Sequence, residues 1–164
     1  MLQLSDIHAH EDCPMPLAPA AGATAAKTTA TKPTGKLFVA SIWLAQLIVA
    51  GLFCMSGVMK ISTPIPELAA MMPWTGQLPA TFVRIIGLID LAGGVGILLP
   101  ALTRMKPQLT VAAALGCVVL QALAFGFHAT RGEYDVLPLN VVLFALSAFV
   151  LWGRGKAAPI APRA

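Results

Sequence analysis

Six side chains able to carry charge fall where a chain otherwise built for lipid should not hold them: Lys60, Arg84, Asp90, His128, Arg131 and Glu133. An ionisable group in or beside hydrocarbon is costly to keep, so by default it marks function. Asp90 must find a partner on another helix or take up a proton, because loss of water raises a carboxyl pKa. His128 stands next to Arg131 and Glu133 and leaves three uses open: a proton shuttle, a cofactor ligand or a solvated residue of a loop. Asp90 and His128 are therefore the candidate catalytic residues. Lys60, Arg84, Arg131, Glu133 and Asn140 are the candidate binding residues. Lys60 and Arg84 also read as helix-end anchors that snorkel to water. Asn140 also reads as an interhelical hydrogen-bonding residue.

The elements that must position these residues are apolar spans. The first runs from Leu37 to about Met59, long enough at roughly 1.5 Å per residue to cross a hydrocarbon core of about 30 Å. The second covers Ala80 to Leu102, the third Pro107 to Phe127, and a shorter fourth runs from Pro138 to Trp152. Between the first two spans, Glu67–Met72 can form a short interfacial helix, stopped by Pro73 and anchored by Trp74. Arg84 and Asp90 lie roughly 240° apart around the second span, so they do not pair on one face. Gly87, Asp90 and Gly94 do share a face, and glycines there let another helix come close. Cys117, Gln121 and His128 form a corresponding stripe on the third span.

Composition fixes the class. The 164 residues are 57% hydrophobic and 11% charged, against about 25% charged in soluble domains. The expectation is an all-α integral membrane four-helix bundle with a disordered tail over residues 1–36, a bundle over 37–152 and a short basic tail over 153–164. The N-terminal stretch shows no signal-peptide pattern. Its Asp6, His8, His10, Glu11, Asp12 and Cys13 fit no established metal site, and no metal is expected. Cys54 and Cys117 lie in separate spans, so no disulfide is inferred. The net charge of +4 comes from residues flanking spans, which argues against nucleic acid as a partner. Lys27, Lys32, Lys36, Arg104, Lys106, Arg154, Lys156 and Arg163 fall on one side, leaving Lys60, Arg84 and Arg131 for the other. By the positive-inside rule both termini are cytoplasmic, and the six residues gather towards the outer face of an inner membrane. Trp43 and Trp152 then belong to the inner aromatic belt, Trp74 and Tyr134 to the outer.

From Leu37 to Trp152 the chain resembles the DoxX-like family of small four-span bacterial membrane proteins. The likeness rests on Ser56-Gly57 with Lys60, the Pro-rich loop before the second span, and Ile89-Asp90-Leu91-Ala92-Gly93-Gly94. It extends through the Leu98–Arg104 exit and the loop from His128 through Arg131-Gly132-Glu133 to Asn140. Many relatives carry Glu at the intramembrane acid, where this chain has Asp90. The resemblance implies a subunit or accessory of a membrane redox system, partnered by another redox protein. A quinone headgroup would exchange protons with His128 or Asp90, while Lys60, Arg84 and Arg131 stabilise charge on its oxygens. The chain has no nucleotide fingerprint, paired thiols or haem ligand set of its own. Two alternatives stand beside this reading: a quinone-binding oxidoreductase in its own right, and a small-solute or proton pathway with Asp90 at the midplane. A homo-oligomer is compatible with all three.

Overall fold

The computed structural model describes residues 35–163. The tail reading of residues 1–34, including the metal-capable cluster and Cys13, lies outside the described residues.

Five helices make up the described chain: α1 (Lys36–Ser62), α2 (Ile65–Met71), α3 (Ala80–Thr103), α4 (Gln108–Thr130) and α5 (Leu137–Trp152). Four segments are long and apolar enough to cross a membrane: Lys36–Ser62, Ala80–Thr103, Gln108–Thr130 and Tyr134–Ala157. The protein is an integral, multi-pass membrane four-helix bundle. Helix α1 packs along α3, α3 on α4, α4 on α5, and α5 returns to α1. Only 22–33% of each span is buried inside the bundle. The rest is apolar, so lipid completes the packing that a soluble core would supply itself. Ala45, Val49, Phe53, Ile97, Ala114, Cys117, Leu143 and Val150 fill the centre. We call distal the end where α1 finishes and α3 begins, and proximal the end holding Lys36 and Ala157.

Proline sets the distal loop. Pro64 precedes α2, Pro66 sits in its first turn, and Pro73 opens a 3-10 turn, Pro73–Gly76. Helix α2 therefore starts two residues earlier than the spacing predicts and stops at Met71 rather than Met72. It folds in with Leu68 and Trp74 buried beside Val83, and Phe127 packs against them. Trp74 is thus an interior residue, 9% exposed, and not the lipid-facing belt residue expected. Tyr134 and Trp152, at 67% and 52% exposure, do face outward as belts do.

Two boundaries move for physical reasons. Helix α4 runs three residues past Phe127, so His128 stands on a helix rather than in a loop. Helix α5 continues as a π-helical turn, Gly153–Ala157. Arg154, assigned from the sequence to the basic tail, is consequently 5% exposed. Its Nε donates to Gln46 Oε1 at 2.6 Å, its guanidinium lies 4.6 Å from the Trp43 ring centre, and Gln46 Nε2 donates to the Ile97 carbonyl.

Candidate functional site

The distal site begins with glycine. A Cβ at Gly57 would lie 2.7 Å from the Gly87 carbonyl oxygen and 2.8 Å from the Leu91 nitrogen. One at Gly94 would lie 2.6 Å from Cys54 Sγ and 2.9 Å from the Ala50 carbonyl oxygen. Without these side chains α1 and α3 meet nearly backbone to backbone, and the residues between them are forced together.

Lys60 and Asp90 are the result. Lys60 Nζ lies 2.8 Å from Asp90 Oδ2, and Ser56 Oγ donates to the same oxygen at 2.9 Å. Lys60 also donates to Ser56. Both charged residues are buried, at 7% and 6% exposure. Lys60 is therefore not a helix-end anchor, and the reason is directional. Side chains on a helix lean towards its N-terminus. On α1, which leaves the bundle distally, that lean carries the ammonium inward, past Ser56 one turn earlier, to Asp90. On α3, which enters from the distal end, the same lean carries Arg84 outward. There Arg84 Nη1 donates to the Lys60 carbonyl, one of the carbonyls that the end of α1 leaves without a helical partner.

A second group forms at the end of α4. The Gly132 amide donates to the Ala129 carbonyl and the Glu133 amide to the His128 carbonyl, with Gly132 at φ 72°. This is a Schellman turn, and its left-handed residue is the reason for glycine. The turn swings Glu133 back over the helix. Its Oε2 lies 2.6 Å from His128 Nδ1, and its Oε1 accepts from Arg131 Nε at 2.9 Å. Arg131 Nη2 reaches Gln77 Oε1 in the distal loop, and its guanidinium lies 5.2 Å from the Phe127 ring centre. With Glu133 ionised, His128 donates through Nδ1, and its Nε2 bonds no described residue.

The six residues are thus two groups, not one. Trp74 stands between them, with Lys60 Nζ 5.9 Å from its ring centre and the His128 ring 6.5 Å away, edge to face. Asn140 joins neither group. It is 8% exposed and lines a groove between α4 and α5 with Gln121, Phe125 and Phe144. Sequence reasoning used Ser56 only as part of the family likeness, passed over Gln77, and set Trp74 in the outer belt. The four-residue spacing of Ser56 and Lys60 on one helix was the available signal for the first.

Glu133 gives the site a pH dependence. Partial desolvation pushes its carboxyl up, but the hydrogen bonds from His128 and Arg131 and their charges outweigh it and hold the pKa below the ordinary 4.5. A carboxyl lowered in the folded state adds stability above its unfolded pKa, and that stability is lost as pH falls through the folded value. Amide exchange at residues 131–133 should therefore quicken as pH drops below about 4.5, after correction for intrinsic rates. Glu133→Gln should flatten that dependence, and an unchanged profile would remove Glu133 as its source.

The DoxX-like family profile matches residues 44–150, most of the bundle. The chain belongs to the DoxX-like family. The matched stretch contains both distal groups and Asn140, while Trp43 and Arg154 fall outside it. No curated protein and no solved structure is similar enough to match this DoxX-like chain.

Proposed function

We propose that this DoxX-like protein is an accessory subunit of a quinone-linked membrane redox system and holds a quinone or quinol headgroup at its distal end. The observation that carries the reading is the His128–Glu133 pair, 2.6 Å apart, set beside an indole and a guanidinium at one end of a membrane bundle. Such a headgroup needs donors for its oxygens, a proton carrier and a flat apolar wall. His128, Arg131 and Trp74 are of those types, so the residues fit. A bound quinone would supply two-electron, two-proton chemistry.

The chain's own part is to bind and to hold protons. His128 Nε2 gives or takes a proton while Glu133, bonded to Nδ1, keeps the ring oriented. Arg131, fixed by Glu133 and Gln77, offers fixed positive charge to an oxygen. Asp90 has a different part: its partners Lys60 and Ser56 make it a structural counter-charge rather than a free proton carrier. That favours the redox reading over a midplane pathway. We take the proximal end as cytoplasmic, because Lys36, Arg104, Lys106 and Lys156 gather there, with the distal site opening on the other side of the cell membrane. Electron transfer then falls to a partner redox protein.

Tryptophan fluorescence tests the site. Of the three tryptophans only Trp74 is distal; Trp43 and Trp152 lie near the proximal end. A water-soluble short-chain quinone added to the reconstituted protein should quench saturably, and Trp74→Phe should remove the saturable part. His128→Gln should weaken binding by roughly tenfold, the loss of a charge-assisted hydrogen bond. Saturable quenching that survives Trp74→Phe would place any quinone elsewhere.

A further inference from the structure

We propose that the turn between α3 and α4, together with the end of the chain, binds the phosphate of an anionic phospholipid. Arg104 stands at φ 58° and Lys106 at φ 47°. Both lie in the left-handed region, which suits glycine or asparagine and strains a longer side chain. Strain that a fold retains points to a use. Here it holds two exposed cations on either side of Met105. A third comes from the far end of the chain. The segment after the π-helical turn is rooted by buried Arg154, whose Nη1 donates to the Ala158 carbonyl at 3.5 Å. Further on, the Arg163 amide donates to the Arg104 carbonyl at 3.1 Å, which brings exposed Arg163 to the turn.

These three cations form no ion pair among the described residues. Of the described acids, Glu67, Glu133 and Asp135 are distal and Asp90 is taken by Lys60. Guanidinium groups hold a phosphate through paired hydrogen bonds, and an ammonium adds a point charge. Depth and neighbours then select a lipid as the source of that phosphate. Helix α3 ends at Thr103 and α4 begins at Gln108, so the turn stands just beyond two apolar spans, at headgroup level. Leu102, Met105 and Leu109 are 60%, 70% and 53% exposed. Large apolar side chains interleaved with cations suit the boundary where acyl chains meet phosphates. A soluble anion would cover only the cations and leave those side chains in water.

The test is electron spin resonance of labelled lipids around the full-length chain in phosphatidylcholine vesicles. The share of spin-labelled phosphatidylglycerol that the protein immobilises, set against labelled phosphatidylcholine, gives a ratio of association constants. At low salt the ratio should be about fivefold, one cation's worth of attraction. It should fall towards one in about 1 M sodium chloride. Arg104→Asn with Lys106→Asn should bring it within about twofold of one. Asparagine tolerates the left-handed region, so helix content should be unchanged. Arg163→Gln should lower the ratio too, whereas Lys36→Gln, at the same end but on α1, should leave it near wild type. A ratio of one in the wild type overturns the proposal, as does a ratio unmoved by Arg163→Gln. So does an equal fall in Lys36→Gln, which would mean that lipid senses only the diffuse charge of the proximal end. Loss of the preference to inorganic phosphate, but not to chloride of equal ionic strength, would make the ligand a soluble anion. A preference seen only after Asp6, Glu11 and Asp12 are made neutral would give the turn to the chain's own N-terminal acids. Either result overturns the lipid. The distal site takes no part, so the outcome is independent of the Trp74 quenching.

Discussion

Asp90→Ala is expected to destabilise the bundle by about 3–5 kcal/mol, the cost of leaving a buried charge without its partner. The charge left behind is the Lys60 ammonium, which has only Ser56 as its other hydrogen-bond partner. Most of the loss should return in Lys60→Met with Asp90→Leu, which removes both charges and fills the space with apolar groups. Unfolding in mild detergent or by steric trapping gives the comparison. If the single and double variants are equally unstable, the pair is not what Asp90 contributes. The same geometry changes what Asp90→Asn can show. It keeps the shape but removes the counter-charge, so lost activity in that variant would not by itself reveal a proton carrier.

The second large effect is expected at Gly57. A Cβ there meets a backbone oxygen and a backbone nitrogen of α3, neither of which can turn aside as a side chain would. Gly57→Ala should therefore part α1 from α3 and cost about 3 kcal/mol or more, the upper range for overpacking. Gly51→Ala, one to two turns earlier on α1 with open space around it, should be neutral or stabilising, since alanine is the better helix former by about 1 kcal/mol. Thermal unfolding of the two variants decides the matter. Equal melting temperatures would mean that the contact between α1 and α3 is looser than its glycines imply.

The spans were legible because each needs only a run of apolar residues, and composition carries that information without any knowledge of neighbours. Gly87, Asp90 and Gly94 were likewise readable as one close-packed face, since helical spacing alone puts them together. The identity of Asp90's partner was not readable. Lys60 sits near the end of α1, and counting residues placed it level with Arg84; that holds for its backbone but not for its ammonium. Arg154 was hidden for a similar reason. Nothing in Gly153-Arg154-Gly155-Lys156 marks a helical turn, because the burial comes from Gln46 and Trp43, more than a hundred residues earlier. Trp74 looked like a belt residue because an indole next to proline at a membrane edge is the commoner case. Only the inward fold of α2 makes it a core residue.

Trp74 also keeps the two ends of a possible wire apart. Among the described residues no hydrogen bond runs from the His128–Glu133–Arg131–Gln77 group to the Ser56–Lys60–Asp90 group, and an indole face carries no proton. The distal mouth and the middle of the bundle are therefore separate polar networks, so a change of partner at His128 reaches Asp90 through no hydrogen bond shared among the described residues.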